Sequence, residues 1–323
     1  MLDNSIALPA KFAEIRVRGR TTLVPSAEIE GRTVIVSGKL FKLAAIRDAD
    51  IAAGELIRDP AAFIGALRNS ALSADVLTFF QRPPRVSPLF EFPFEWDNYA
   101  AAATSTFEGW WNKLPQETRK NVRRAAKRGV TVRTAPFDDA LARGIWRLCN
   151  ESPMRQGKRF WHFGKDFATV KHEHATYLER SEFVAAFFQD ELIGFIKMVY
   201  VDSIAFILHI LAANAHADKR PINALLAKSV EICAQRGVSH LIYDRYLYGN
   251  KTGSSLMEFK RRNGFEPIRF PRYYIPLNLK GRIFVALKLY RGLVGLLPGP
   301  VLRVALAARN GISRLKNANL ENG

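Results

Sequence analysis

Acidic side chains are scarce in this chain: 30 Asp and Glu face 48 Lys and Arg, a formal net charge of +18. The shortage is local. Residues 1–104 hold 12 of each sign, residues 105–279 hold 28 basic and 17 acidic, and residues 280–323 hold 8 basic and one acidic. A positive field confined to the later part of the chain favours anionic partners: nucleotide phosphates, tRNA or an acidic membrane surface. Cysteine is almost missing. Cys149 and Cys233 lie far apart in apolar, helix-like stretches, which excludes a disulfide framework and predicts buried free thiols in a reducing compartment. Long apolar runs are missing as well. The uncharged tract 292–302 holds two prolines and is too short to span a bilayer. No apolar signal segment opens the chain, where Asp3 stands, so a cytoplasmic location is expected.

Several catalytic signatures are absent. His172 and His174 flank Glu173 at i, i+2, which points the rings apart on a helix, so no metal is expected there or elsewhere. There is no Gly-x-Ser-x-Gly elbow and no Gly-x-Gly-x-x-Gly. Six residues separate Gly31 from Gly38, and Leu40 replaces the hydroxyl expected after Lys39, so this is not a P-loop. Disorder and fibre classes are excluded by an ordinary apolar content of 48%.

What is present is an α/β (α+β) pattern with room for two cores. Strands are predicted at 12–18, 33–36, 40–46, 74–80 and 89–94, and a helix opens on Asp59 and Pro60. Near residue 105 the character changes. Ser105 and Glu108 fit a capping box, followed by Trp110 and Trp111. A helix over 116–128, stopped by Gly129, carries Arg119, Lys120, Arg123, Arg124, Lys127 and Arg128 without an acid among them. Like charges at i, i+4 repel by a few tenths of a kcal/mol per pair. That face either is merely solvated or meets a polyanion. Further on, a strand is predicted at 129–133, a helix at 139–150, a helix ending near 178, and a hairpin turning at Asp190.

The loop 155–165 sets Phe160, Trp161, His162 and Phe163 among Arg155, Lys158, Arg159 and Lys165. Rings stack on a base or plug a core, and the cations suit phosphate. The stretch 203–264 then reads strand (204–211), loop, helix (221–237), strand (241–246) and short helix (254–263). The uncapped amides of the helix at Pro221 and the adjoining Lys219 and Arg220 make an anion site. Residues 280–316 mix apolar runs with Lys and Arg and contain no acid, as helices lying in a lipid interface or packed on the protein itself would.

Three stretches carry a resemblance: TRKNVRRAAKRGV (118–130), PINALLAKSV (221–230) and EFKRRNGF (258–265). Residues 105–279 resemble the GNAT superfamily of N-acyltransferases, and more closely its Fem-type branch, relatives of the peptidoglycan-bridge aminoacyltransferases. The resemblance implies a GNAT-like mixed sheet flanked by helices at 105–279. It implies a smaller N-terminal α/β lobe at 1–104 that is a degenerate copy of the same fold, and 280–323 remains a basic amphipathic helical tail. It also implies direct attack of an amine on an activated acyl carbon.

Acyl-CoA users of the superfamily carry a glycine-rich loop before the donor helix. Here that loop is His216-Ala-Asp-Lys-Arg-Pro-Ile, without glycine. The donor the resemblance implies is therefore either acetyl-CoA or another acyl-CoA, or aminoacyl-tRNA, with an amine acceptor connected to the cell envelope among the candidates. On this reading Ile210, Leu211, Lys219, Arg220 and Asn223 bind the donor. His209, Asp244, Tyr246 and Tyr248 are the catalytic candidates, and Arg155, Lys158, Trp161, His162 and Lys260 serve the acceptor or a lid. A tail against an anionic membrane would place the protein at the inner face. The contrasting reading is a non-catalytic GNAT-fold protein that binds RNA or anionic membrane.

Overall fold

The computed structural model describes residues 11–17, 20–83, 85–155, 157–248 and 254–291. The expected apolar runs of the tail beyond Arg291 lie outside the described residues.

Four strands open the fold as a meander: β1 (Lys11–Val17), β2 (Arg20–Ile29), β3 (Arg32–Ser37) and β4 (Leu43–Ile46). Alternation drives it, with Val34 and Val36 buried and their neighbours outward. Strand β2 is not anticipated by the sequence. Pro25 breaks its pattern, and it forms because β1 and β3 pair with it on both sides. Helix α1 (Pro60–Arg68) starts as expected: the Asp59 carboxylate accepts from the amides of Ala61 and Ala62. Strand β5 (Val76–Phe80) is buried throughout.

The strand expected at 89–94 is not there. Those residues bend up to Pro93, and β6 instead runs from Phe94 to Ala103. Its alanines are poor strand formers, so the sequence hides it. They are buried at the centre of the sheet, where packing decides. The expected capping box is also displaced. Helix α2 (Phe107–Lys113) is capped by Thr106, whose hydroxyl accepts from Gly109, and Ser105 stays outside.

The basic helix α3 (Gln116–Lys127) follows, then β7 (Thr131–Ala135), α4 (Asp139–Cys149), a minimal hairpin of β8 (Met154–Arg155) and β9 (Lys158–Arg159), and α5 (Phe167–His174). Helix α5 stops four residues earlier than expected, and Tyr177 turns the chain at φ 54°. The hairpin of β10 (Ser181–Phe188) and β11 (Glu191–Val201) turns at Gln189 and Asp190 as read. Then come β12 (Ile204–Ala212), α6 (Pro221–Gln235) and β13 (His240–Ile242). The last of these ends four residues short of the expected strand, because Asp244 adopts φ 51° and breaks the extended run. Helix α7 (Ser255–Arg262), β14 (Glu266–Pro276) and α8 (Leu279–Ala286) complete the described fold.

Twelve strands form one sheet in the order β1-β2-β3-β4-β5-β14-β6-β13-β12-β11-β10-β7. Its parallel pairs are β4–β5 and β12–β13. Successive residues go to opposite faces: Phe183 and Ala185 join the cluster under α4, while Val184 and Ala186 join the one under α6. Leu225, Leu226, Val230 and Cys233 seat α6, each large side chain adding about 1.5–3 kcal/mol of burial. Gly194 lets that helix approach, since a Cβ there would meet Leu225 Cδ1 at 3.2 Å. Cys149 and Cys233 are free and buried, and desolvation pushes their thiols up to about 11 and about 12.

Candidate active site

The sheet opens between β12 and β13. Strand β12 pairs with β11 along its whole length, with a register break opposite Lys197 and Met198 that leaves Leu208 as an extra, bulged residue. It pairs with β13 only from Ile204 to Phe206. From Ile207 to Ala212 its other edge has no partner strand among the described residues, so main-chain groups near Ile210 and Leu211 face a gap between two parting parallel strands.

The chain enters α6 beside that gap. A turn, Asn214–Lys219, leads to Arg220 at φ 58°, and no side chain caps the helix. Its first-turn amides are therefore unspent, at the positive end of the helix dipole. The turn is fastened from two sides. Arg128 of α3 donates to the Asp218 carboxylate at 2.6 Å and to its carbonyl at 2.9 Å. Glu151 accepts from the amides of Asn214 and Ala215 at 2.8 and 2.9 Å, and Arg155 bonds Glu151 at 2.9 Å and the Ala212 carbonyl at 2.8 Å. Arg155 thus holds the end of β12. Lys219 lies 3.6 Å from Asp218 with its ammonium over the Phe188 ring, whereas Arg220 is exposed. Asn223 donates to Asn263 Oδ1 at 2.9 Å, tying α6 to the end of α7. There Gly264 at φ 78° is obligatory, because a Cβ would sit 2.6 Å from Trp110 Nε1.

Three expected residues meet in the segments that follow β13. Tyr248 donates its hydroxyl to Asp244 Oδ2 at 2.7 Å. Lys260, fully buried, donates to the Arg245 carbonyl at 2.7 Å and lies 3.4 Å from the Tyr248 hydroxyl. Its ammonium sits over the rings of Tyr243 and Tyr248, 4.6 and 5.0 Å from their centroids. Desolvation pushes the lysine down to about 8, against the opposing pull of Asp244. Burial and then the Asp244 bond raise the Tyr248 phenol. A carboxylate, a phenol and a readily deprotonated amine in contact can accept, relay and return a proton.

The other expected residues lie elsewhere. Tyr246 lines a separate cavity of about 460 Å³ with Trp110, His240 and Arg261. His209 stands on the α5 face of the sheet, its ring 4.4 Å from that of the buried His174. Of the loop 155–165, Lys158 is exposed on β9 and Trp161 is half-exposed under the Lys165 ammonium. His162 turns inward, 3.8 Å from Glu173, which accepts from Lys165 at 2.8 and 2.9 Å. Among the described residues no group of three His, Cys, Asp or Glu converges as a metal site.

Sequence reasoning missed Lys197, fully buried in β11 and paired in register with His209. A lone charge inside the apolar run 192–201 was its available signal. It missed Glu151 too, for which no sequence pattern exists. On α3, Arg119, Lys120, Arg124 and Lys127 form no ion pair among the described residues.

No family model matches the chain, and no curated protein matches it. Solved structures do. FemX superposes with a TM-score of 0.52 at 12% identity, over 87% of this chain and 91% of that one. The C-terminal domain (DUF2156) of a putative lysylphosphatidylglycerol synthetase from Agrobacterium fabrum gives 0.52 at 14% identity, over 85% and 91%. L-PGS from Bacillus licheniformis gives 0.54 at 11% identity, over 84% and 89%. The chain has a GNAT-like fold of the Fem type.

Proposed function

We propose that this fold carries an N-acyltransferase, moving an acyl or aminoacyl group from an activated donor to an amine. Two observations support it most: the gap where β12 parts from β13 beside the uncapped start of α6, and the contact of Asp244, Tyr248 and Lys260 in the segments that follow β13. Donor phosphates would meet the α6 amides and Arg220, with Lys219 behind them. The acyl carbonyl would lie along β12, where a main-chain amide near Ile210 or Leu211 stabilises the oxyanion. Asp244 takes the proton of the attacking amine, directly or through Tyr248. Lys260 fixes the phenol and keeps positive charge beside it. The C–N bond forms as the bond to the donor's leaving group breaks, and the phenol returns a proton to that group.

Both donors remain in the reading. An acyl-CoA fits a helix-terminus phosphate site, and aminoacyl-tRNA fits the unpaired cations of α3. Residues 105–279 would carry the chemistry, with 1–104 as a degenerate copy of the same fold. The test offers labelled acetyl-CoA and charged tRNA as competing donors to the full chain. Lys219→Ala/Arg220→Ala should weaken the true donor by about 10- to 100-fold, on the scale of two charge-assisted contacts. Unchanged donor affinity and turnover in that variant would sink the site.

The unpaired cations of α3 favour one other reading, a non-catalytic binder of RNA. Transfer from either donor rejects it. A peripheral seat on the cytoplasmic face of an anionic membrane is part of the main proposal. Its support is α8, where Leu279, Ile283 and Leu287 are exposed at i, i+4, i+8 between Lys280, Arg282 and Lys288. Among the described residues no helix is long and apolar enough to cross a membrane.

A further inference from the structure

The loop bearing Asp244 and Tyr248 also walls a second space. Its Arg245 and Leu247 line a cavity of about 470 Å³ together with Asp97, Asn98, Arg272 and Tyr274. The acids here are already engaged. Asp97 accepts Arg272 Nε at 2.7 Å and the Asn98 amide at 2.9 Å, and Arg245 Nη2 lies 3.2 Å from it. Glu95, at the rim, accepts Arg291 through both oxygens at 2.6 and 2.7 Å and the Tyr290 hydroxyl at 2.9 Å.

Donors are left over. Neither terminal nitrogen of Arg272 hydrogen-bonds an acceptor among the described residues, and neither does the Tyr274 hydroxyl. Among the lining residues, the guanidinium groups of Arg245, Arg272 and Arg291 against two carboxylates leave one positive charge, with Asp50 acting on Arg272 from outside the lining. Arg272 is also rigid: its guanidinium carbon lies 4.7 Å from the Phe80 ring centroid, and its Nε is fixed by Asp97. A concave site with surplus, pre-aimed N–H donors and excess positive charge matches an oxyanion, which a planar guanidinium can grip with two parallel bonds.

We infer that this cavity is an oxyanion pocket for the acceptor, holding the phosphate or carboxylate of an amine-bearing molecule on Arg272 and Arg245. The word acceptor rests on the transfer reading above, while the anion site stands without it. The pocket is coupled to the cluster through the shared loop. Asn98 Oδ1 accepts the Leu247 amide at 2.7 Å, and Lys260 donates to the Arg245 carbonyl. An anion seated on Arg245 therefore bears on the residues that carry Tyr248.

Calorimetric titration of the full chain at fixed ionic strength tests this, with inorganic phosphate, acetate and phosphatidylglycerol vesicles as the probes. Arg245→Gln and the charge-balanced pair Arg272→Gln/Asp97→Asn are compared with Lys219→Ala/Arg220→Ala. At least one probe should bind about tenfold more weakly to both pocket variants, the loss expected of a charge-assisted bond, and unchanged to the loop variant. Vesicle binding that weakens in step with phosphate assigns a lipid headgroup, and vesicle binding that does not assigns a soluble acceptor. The inference is overturned if no probe binds, if the pocket variants bind as the parent does, or if the loop variant loses as much. Loss of acyl-donor affinity in Arg245→Gln overturns the acceptor assignment alone. An absence of transfer with pocket binding intact overturns the transferase reading and leaves the pocket.

Discussion

Two lysines are fully buried on opposite faces of the same sheet, and burial pushes each down to about 8. Their surroundings differ in kind. Lys197 bonds only neutral oxygens, the carbonyls of His174 and Thr176 and, at 3.2 Å, the Thr176 hydroxyl, with the Phe183 ring 5.4 Å away and Glu179 acting on it without a hydrogen bond. Its bonds hold the end of α5 against β11. Lys260 has one carbonyl, and its remaining neighbours are the rings of Tyr243 and Tyr248 and the carboxylate behind them. The same desolvation thus accompanies a fastener in one place and, on the proposed reading, a proton-exchanging cluster in the other. A depressed lysine alone does not identify chemistry; the company of a phenol and a carboxylate is what makes Lys260 a candidate.

The comparison breaks most visibly on substitution. Lys260→Met should cut acyl transfer by about 100-fold or more, the usual worth of a positioned acid–base group, with stability within about 1 kcal/mol. Lys197→Met should do the reverse, leaving turnover within about threefold and costing about 1–3 kcal/mol as buried carbonyls lose their donor. Steady-state rates and urea denaturation of both variants decide it, and an exchanged pattern reverses the assignment. Tyr248→Phe should lower turnover by about 10- to 100-fold while donor affinity holds, because only the proton path is cut. A parallel loss of donor affinity would recast Tyr248 as a binding group.

The pH dependence is smaller and sharpens the same contrast. A lysine whose folded value falls from 10.5 to about 8 is charged in both states below pH 8. Between there and about pH 10 the unfolded chain binds more protons, so stability rises with pH. Each lysine contributes at most about 1.4 kcal/mol per pH unit. The thiols of Cys149 and Cys233, raised by burial to about 11 and about 12, oppose the rise from about pH 9 upward, and Tyr99 and Tyr200, raised by burial, reverse it at higher pH. Denaturation midpoints from pH 7.5 to 9.5 should climb in the parent. They should climb less in each Met variant, and variants that climb as steeply as the parent would show that neither lysine is desolvated.

Much of the frame was legible because it obeys one period or the other. The apolar stripe of α6 and the alternation of β10 and β11 state their own faces, and Asp59 with Pro60 states where α1 begins. The alanine-rich β6 was not legible, since its strand form comes from being enclosed on both sides. The site divided in the same way. Asp244, Tyr248 and Lys260 are named from their places at a strand end and on a short helix, and their contact depends on the Asp244 turn that shortens β13. His209 and Tyr246 were placed by the same logic, but the bulge at Leu208 and that turn send them to other surfaces. A single residue of register determines which face a side chain reaches, and composition carries no trace of it.

Strand β14 lies between β5 and β6, antiparallel to both. During synthesis, everything up to Gly264 leaves the ribosome before the strand that joins β5 to β6. Until Pro276 emerges, both of those strands present bare ladders in their most apolar stretches. The nascent chain therefore has two open edges to protect at once, and the late arrival of β14 makes long-range pairing the step that commits the fold. Interruption anywhere between 104 and 265 should yield products that associate with one another or with chaperones.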